Sequence, residues 1–207
     1  MLNRLLVSTL ALCASLALAQ TPASAPAAQS APTMRLRGTV EKVDATTLTL
    51  KERSGETLTL VFADNFSVTE ILPIEIGAIQ AGAFIGTAAM PQPDGTLKAL
   101  AVAVFPEAAR GAGEGSYGWD LRPGSTMTNA TVADLVSAPQ GRTLKLKYKD
   151  GEKTVTVPDN VPIVTFKPGD RSLLVPGAKV QVTAQLRDGK PTALRAQAGR
   201  NGVAPPM

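Results

Sequence analysis

Hydrophobic and polar positions alternate along most of the chain after residue 33, which is the period-two pattern of half-buried β-strands. Leu48 and Leu50 alternate with threonine, and Leu144 and Leu146 alternate with lysine. Glycine tolerates positive φ, so short glycine-containing pairs between such stretches predict hairpin turns. Four pairs fit: Ser54-Gly55, Asp94-Gly95, Asp150-Gly151 and Asp188-Gly189. The pattern predicts an all-β protein.

The chain nearly repeats itself. The stretch RGTVEKVDATTLTLKERSGETLTLVFADN is answered by NATVADLVSAPQGRTLKLKYKDGEKTVTVPDN, and GAFIGTAAMPQPDGTLKALAVAV is answered by GAKVQVTAQLRDGKPTALRAQAG. Each copy offers about five or six short strands in roughly 70 residues, a count that suits a small closed barrel. We therefore expect two antiparallel barrels in tandem, residues 34–105 and 127–200, joined by the segment 106–126. Residues 70–81 and 166–175 are expected to hold a connecting loop or a helical turn.

The first residues predict export. Arg4 gives a charged start, Leu5–Leu18 is apolar, and Ala17-Leu18-Ala19 forms an A-x-A cleavage site before Gln20. This is the pattern of a secretory signal peptide over residues 1–19, and it is too short for a membrane span. The mature chain is expected to be periplasmic or secreted, with no transmembrane span.

A lipoprotein would need Cys13 as its anchored residue, but Leu12 precedes it where a small residue is wanted. Residues 20–33 are rich in Ala, Pro and Ser and have no large apolar side chain, so we expect a disordered tether. The last residues, 201–207, are expected to form a short tail.

Two absences narrow the chemistry. Cys13 is the only cysteine and the chain has no histidine. After cleavage no disulfide can form, and His-based triads and His or Cys sites for zinc, copper or haem are excluded. No cofactor is expected, and a metal could be held only through oxygen.

The segment 106–126 holds the only tryptophan and a cluster of charged residues between glycines. The candidate binding residues are Glu107, Arg110, Glu114, Trp119, Asp120 and Arg122. A glycine-rich loop can approach a ligand closely: the tryptophan could stack on a sugar or base, and the carboxylates could bind calcium. The structural alternative is favoured, because a linker this long must be packed to be ordered. There the tryptophan fills the seam between the barrels, and Arg110 and Arg122 pair with Glu114 or Asp120.

Charge is spread unevenly. Residues 35–105 carry 6 Lys and Arg against 8 Asp and Glu, whereas residues 127–207 carry 12 against 6. A candidate anion-binding face consists of Arg142, Lys145, Lys147 and Lys149, with Lys179, Arg187 and Lys190 nearby if the barrel closes. Such a face suits an acidic glycan or a lipid headgroup. Export and the shortage of stacking aromatics argue against nucleic acid. The alternative is a solvated strand whose lysines prevent edge pairing.

Each half resembles the small OB-like β-barrel domain of unknown function DUF5666. The pattern G-x-V, hairpin, G-x-x-V/I, D-G turn and A-x-x-V is met at Gly38-Thr39-Val40, Gly82 with Ile85, Asp94-Gly95 and Ala99–Val102. In the second half Ala130 replaces the first glycine, and the matches continue at Gly177, Val180, Asp188-Gly189 and Ala193. The resemblance implies that both barrels are OB-like.

The joining segment resembles bacterial exported proteins that carry FPEA.RG.GEG...WDL.PGSTMTNATV. Those proteins often have a histidine near GEG, where this chain has Ser116-Tyr117. Together these observations predict a non-enzymatic binding module that uses the groove between the barrels. Two alternatives stay open: a structural or assembly module that contacts another envelope protein, and a hydrolase built on two of the carboxylates in the joining segment. The partner itself is unknown; an envelope protein and an acidic glycan are the candidates.

Overall fold

In a computed structural model, which describes residues 32–138 and 141–206, the alternating stretches form β-strands. The described residues all belong to one compact unit. The strands of the described residues are β1 (Thr33–Val43), β2 (Thr47–Glu52), β3 (Thr57–Pro73), β4 (Phe84–Pro91), β5 (Leu97–Val104), β6 (Gly115–Gly118), β7 (Thr126–Ala138), β8 (Gly141–Tyr148), β9 (Gly151–Val157), β10 (Ile163–Gly169), β11 (Lys179–Arg187) and β12 (Lys190–Gly199). Short 3-10 helices span Ile76–Ala78, Glu107–Ala109 and Arg171–Leu173. The predicted signal peptide and most of the predicted tether lie outside the described residues.

Five strands close a barrel, in the order β1-β2-β3-β12-β11 and back to β1. β1 runs antiparallel to β11, with Leu36 opposite Val182. β12 runs parallel to β3, with Ala196 opposite Val68. We call this ring barrel A; it takes three strands from the first half of the sequence and two from the second.

The pairing of five further strands closes a second ring, β4-β5-β9-β8-β7 and back to β4, called barrel B. Its registers match those of barrel A. Ile85 lies opposite Ala130 in barrel B, as Val180 lies opposite Gly38 in barrel A. The two halves of the sequence have therefore exchanged their last two strands.

The all-β class and a closed barrel are confirmed, but two tandem barrels are not. Ranges 34–105 and 127–200 describe the two copies of the sequence repeat, and each ring draws strands from both copies. The exchange also evens out the charge. The strands of barrel A, 33–73 and 179–199, hold nine Lys and Arg against seven Asp and Glu; those of barrel B, 84–104 and 126–157, hold six against four.

The alternating hydrophobic positions fill the two interiors. Barrel A is filled by the inward residues of all its strands, among them Leu48, Leu50, Leu60, Val182 and Ala196. Barrel B is filled in the same way, by residues that include Ile85, Val102, Leu144, Leu146 and Val155. Their near-complete burial is the main stabilising contribution, since apolar area removed from water stabilises by about 25 cal/mol per Å².

Strand β10 connects the rings. It runs antiparallel to the end of β3 and parallel to the end of β5. Ile71, Ala103 and Val164 form a small apolar cluster there, and Val203 from the C-terminal segment packs on it. The expected helical turns are present at Ile76–Ala78 and Arg171–Leu173, but the flanking strands run further than expected, to Pro73 and Gly169.

Candidate functional site

The segment that follows β5 forms a joint over residues 105–125. β6 lies inside it and pairs with the first residues of β7, with Tyr117 opposite Met127. The loop between the two strands is closed by the main chain, because Trp119 N donates to Ser125 O at 2.8 Å. Gly124 in this loop has φ of +75°, a conformation that favours glycine. The β6–β7 hairpin therefore holds the tryptophan in a defined place.

Trp119 contacts both barrels. Its ring packs on Ala88, Ala101 and Met127, which lie on the outer surface of barrel B. The guanidinium of Arg35, on β1 of barrel A, lies over the ring at 4.0 Å from its centroid. This cation–π contact and the apolar packing agree with the structural interpretation, in which the tryptophan fills the seam.

Asp120 extends the same contact. Its carboxylate accepts from Arg35 Nε at 3.2 Å and from Arg37 Nη2 at 2.8 Å. Burial alone would raise the pKa of Asp120, but the hydrogen bond and charge of Arg37, with the charge of Arg35, outweigh it and hold the pKa below its usual value. The partners of Asp120 are thus two arginines of barrel A.

Arg110 fixes the start of the joint. Its Nη2 donates to Glu107 Oε2 at 2.7 Å and to the carbonyl oxygen of Gly82 at 2.9 Å. The hydrogen bond from Arg110 holds the pKa of Glu107 below its usual value. The expected pairing of Arg110 with Glu114 or Asp120 is wrong, because Arg110 directly follows the 3-10 helix that begins at Glu107 and pairs with that residue instead.

Glu114 and Arg122 lie apart from these contacts. Glu114 Oε1 accepts from the main-chain N–H of Lys149 at 2.9 Å, so it caps the β8–β9 turn. Arg122 is exposed, and its side chain has no ion pair or hydrogen bond within the part of the chain that the structure describes. The expected pairing of Arg122 with Glu114 or Asp120 is therefore also wrong.

Three buried polar atoms beside Asp120 and the tryptophan have no hydrogen-bond partner among the described residues. They are Arg37 Nε, Gln181 Oε1 and Trp119 Nε1. Arg37 and Gln181 are direct cross-strand neighbours on β1 and β11, and they are 7% and 9% exposed. Two donors and one acceptor without partners are costly to bury, so this place calls for water or for the polar groups of a ligand.

The residues of the predicted anion-binding face do not all lie on one surface. Lys145 and Lys147 are exposed on the outer side of β8, and Lys149 is exposed in the turn that follows. Arg142 has the parity of the inward residues, and its Nη1 donates to Ile76 O at 3.1 Å. Acidic residues interrupt the lysines, because Lys145 pairs with Asp134 at 3.9 Å.

Three further cations that the sequence suggested for this face, Lys179, Arg187 and Lys190, lie on β11 and β12 of barrel A. They are therefore in the other ring. β8 is paired on both sides, by β7 and β9, so its lysines do not protect an edge.

The carboxylates of the joint do not form a metal cluster. Within residues 32–138 and 141–206, no group of three or more His, Cys, Asp or Glu side chains could hold a metal ion. Glu107, Glu114 and Asp120 each have a different partner: Arg110, the Lys149 main chain, and the two arginines of β1.

Two open clefts lie away from the joint, on either side of Arg200. Each has a volume of roughly 430–440 Å³, and both are lined by Arg200 and Asn201. One contains the buried carboxylate of Glu70, which pairs with Arg200 at 2.9 Å and Lys167 at 3.4 Å. The sequence showed none of this, because these three residues are far apart along the chain and carry no motif.

Comparisons with known proteins found no relative. No family model matches the chain, and neither the curated proteins nor the solved structures include a match. No helix among the described residues is long and apolar enough to cross a membrane.

Proposed function

We propose that this protein is a non-enzymatic binding module of the bacterial cell envelope, exported by its first 19 residues, whose binding site is the joint between the two barrels. The observation that carries the proposal is the group of unpaired buried atoms on Arg37, Gln181 and Trp119. They comprise two donors and one acceptor. Hydroxyl groups both donate and accept hydrogen bonds, so a glycan offers partners for both kinds of atom.

The setting of these atoms supports a preformed site. Asp120 holds Arg37 from one side, and β11 holds Gln181 from the other. Preorganised polar groups lose little freedom on binding, which favours affinity. The tryptophan itself contributes its N–H rather than a stacking face, because Arg35 covers one face of the ring.

The resemblance to DUF5666 belongs to the same proposal. We interpret each ring as an OB-like barrel completed by strands of the other repeat. The supporting observation is that the registers of the two rings match, from Gly38 opposite Val180 to Ala130 opposite Ile85.

The test uses the sole tryptophan, whose emission reports on the joint. The chain beginning at Gln20 is titrated with a neutral glycan, an acidic polysaccharide, calcium and magnesium. We expect a saturable emission shift with a glycan. Emission that is insensitive to all four probes would make the joint a structural seam only.

A matched pair of variants separates binding from folding. Gln181→Leu removes the buried unpaired carbonyl, so we expect an unchanged or raised unfolding temperature together with at least about tenfold weaker binding. Gln197→Leu makes the same change at the neighbouring position on β12 and should leave binding unchanged. Equal binding by both variants would contradict the proposed site.

A second candidate function is contact with another envelope protein. One observation favours it: the first residues of β1 have a partner strand on one side only within the described part of the chain.

A further inference from the structure

The start of β7 shows how this fold covers a strand edge. Residues Thr126–Asn129 pair with β4 on one side and with β6 on the other. Ser125, Met127, Thr128 and Asn129 are consequently buried. The β8–β9 hairpin ends at Tyr148 and Gly151, so β8 pairs with β7 only from Thr131 onward. This leaves the edge of β7 before Thr131 open, and β6 pairs there.

The start of β1 is the equivalent place in barrel A, and it is covered on one side only. β11 pairs with Thr33–Thr39, whereas pairing with β2 begins at Gly38. Arg53 N donates to Arg37 O, which is where the β2–β3 hairpin ends. Among the described residues no strand lies beside Thr33–Arg35 on that side.

The main-chain groups at this edge point outward. Val40 N donates to Ala178 O, toward β11, and alternate residues of a strand direct their N–H and C=O to opposite sides. Residues 34, 36 and 38 therefore face β11. Thr33 and Arg35 direct their N–H and C=O groups to the uncovered side, and both residues are exposed.

The side chains at the edge have a definite pattern. Met34 is 39% exposed, and Leu36 packs partly on the core of barrel A. On the adjoining strand β11, Leu186 falls in the same alternating series as the inward-facing residues, but it is 51% exposed. The apolar face of the sheet therefore continues at Leu186 beyond the buried core. Arg35 lies between Met34 and Leu36 along β1, and its side chain projects to the other face of the sheet, where it contacts Asp120.

We propose that the edge at Thr33–Arg35 binds an extended segment of another protein, which adds to barrel A as an antiparallel strand. The segment has an acidic residue opposite Arg35 and apolar residues on either side of it. Main-chain hydrogen bonds to Thr33 and Arg35 supply affinity, and the alternating side chains supply specificity. The site shares Arg35 with the joint, but it uses the main chain of β1 rather than the buried atoms of Arg37, Gln181 and Trp119, so it goes beyond the proposed glycan binding.

The probe is the blocked peptide acetyl-Thr-Val-Glu-Val-Thr-amide, titrated into the ¹⁵N-labelled chain beginning at Gln20 and followed by NMR. We expect saturable shifts of the Thr33 and Arg35 amides. The same peptide with Lys in place of Glu should bind at least about fivefold more weakly, because it places a like charge opposite Arg35. Shifts confined to other parts of the protein, or equal binding of the two peptides, would overturn the proposal.

Two variants at one position test the role of the main chain. Arg35→Ala keeps the N–H and should weaken binding several-fold, whereas Arg35→Pro removes an N–H that β11 does not use and should abolish it. If Arg35→Pro does not fold, the peptide N-methylated at its glutamate replaces it and should fail to bind the wild-type chain. Binding by the proline variant or by the methylated peptide would refute strand addition.

Amide hydrogen exchange in the free protein decides whether the edge is already occupied. We expect rapid exchange at Arg35 at every protein concentration. Protection that grows with concentration would mean that a second copy covers the edge. Protection seen in the chain beginning at Gln20 but lost in a chain beginning at Pro32 would mean that the protein's own N-terminal residues cover it. Either form of protection would overturn the proposal of a separate partner.

Discussion

Barrels A and B have the same strand order and the same interior pattern, yet their outer surfaces differ where the joint meets them. The repeat places Arg35 and Arg37 of β1 in the positions that Met127 and Asn129 occupy in β7. Barrel B offers the joint an apolar surface, on which the tryptophan packs. Barrel A offers two cations, which bind Asp120. The two copies of the repeat thus share their core pattern and differ on the surface that meets the joint.

The difference extends to the next strand. Gln181 on β11 corresponds to Gly86 on β4. A side chain at Gly86 would collide with Asn129 and Phe105, at 2.7 and 3.0 Å. At the equivalent place in barrel A, Gln181 projects toward the joint and its carbonyl oxygen has no partner within the described chain. This polar side, with its unpaired buried oxygen, is therefore where we place the proposed ligand.

The largest expected effect tests the exchange of strands between the two sequence repeats, which gives both barrels the same strand order. Thr39 and Lys179 lie directly opposite each other on β1 and β11, as a pair that does not exchange main-chain hydrogen bonds. Such pairs bring side chains closest together. In the chain beginning at Gln20, which has no other cysteine, we expect the double variant Thr39→Cys with Lys179→Cys to form a disulfide nearly completely under mild oxidation, as measured by mass and thiol content.

The control shares one position with this variant. If each half folded separately, Thr131 would lie opposite Lys179, whereas strand exchange places it opposite Phe84. Thr131→Cys with Lys179→Cys should therefore stay reduced. Cross-linking of the control in place of the first pair would show tandem barrels without exchange.

The second effect is smaller and tests how far the two barrels are interchangeable. Gly38 corresponds to Ala130, which is fully buried in barrel B. A Cβ at Gly38 would lie 2.1 Å from the main-chain oxygen of Lys51, so Gly38→Ala requires the backbone to move. We expect a loss of about 2–3 kcal/mol in the free energy of unfolding, measured with urea.

The reciprocal change, Ala130→Gly, removes one methyl group and adds chain entropy. We expect it to cost about 1 kcal/mol. Equal losses for the two variants would mean that β1 and β2 are no closer at this point than their counterparts in barrel B.

Local patterns predicted the fold class because each strand has its own alternation. Leu48 and Leu144 could be assigned to a barrel interior from their neighbours alone. The exchange of strands could not be predicted in this way. Both possible partners of β1 have similar sequences, since GAFIGTAAM and GAKVQVTAQ come from the same repeat. The sequence patterns therefore leave both pairings open.

The sequence likewise indicated only the local part of the candidate site, because the contacts with distant strands leave no local pattern. Trp119 and Asp120 stood out as rare residues in a glycine-rich segment. Their partners did not, because Arg35 and Arg37 lie 84 and 83 residues away from Trp119 and Asp120 and belong to an ordinary strand. A sequence comparison of the two repeats gives one signal, the replacement of Met127 and Asn129 by arginine. Charge at those positions indicates contact with an acidic group, and Asp120 is that group.

The smallest expected effect tests this contact between Asp120 and barrel A. Asp120→Asn removes the charge that faces Arg35 and Arg37, while its amide still fills the space. Because both Asp120 and Arg35 are partly exposed, solvent screens the pair, and we expect a loss of about 1 kcal/mol in the free energy of unfolding near pH 7. Barrel B has no equivalent ion pair at Met127 and Asn129, so this loss belongs to barrel A alone.

The stability loss caused by Asp120→Asn should depend on pH in a defined direction. The folded pKa of Asp120 lies below the ordinary value of 3.8, so the carboxylate contributes its full stabilisation above that pH. The contribution disappears as the pH falls through the folded pKa, because both states then bind a proton. Urea unfolding of the wild type and Asp120→Asn should therefore differ most near neutral pH and converge as the pH falls through the folded pKa of Asp120. A difference that persists unchanged in acid would assign the effect to packing, and the two barrels would then be joined by shape rather than by charge.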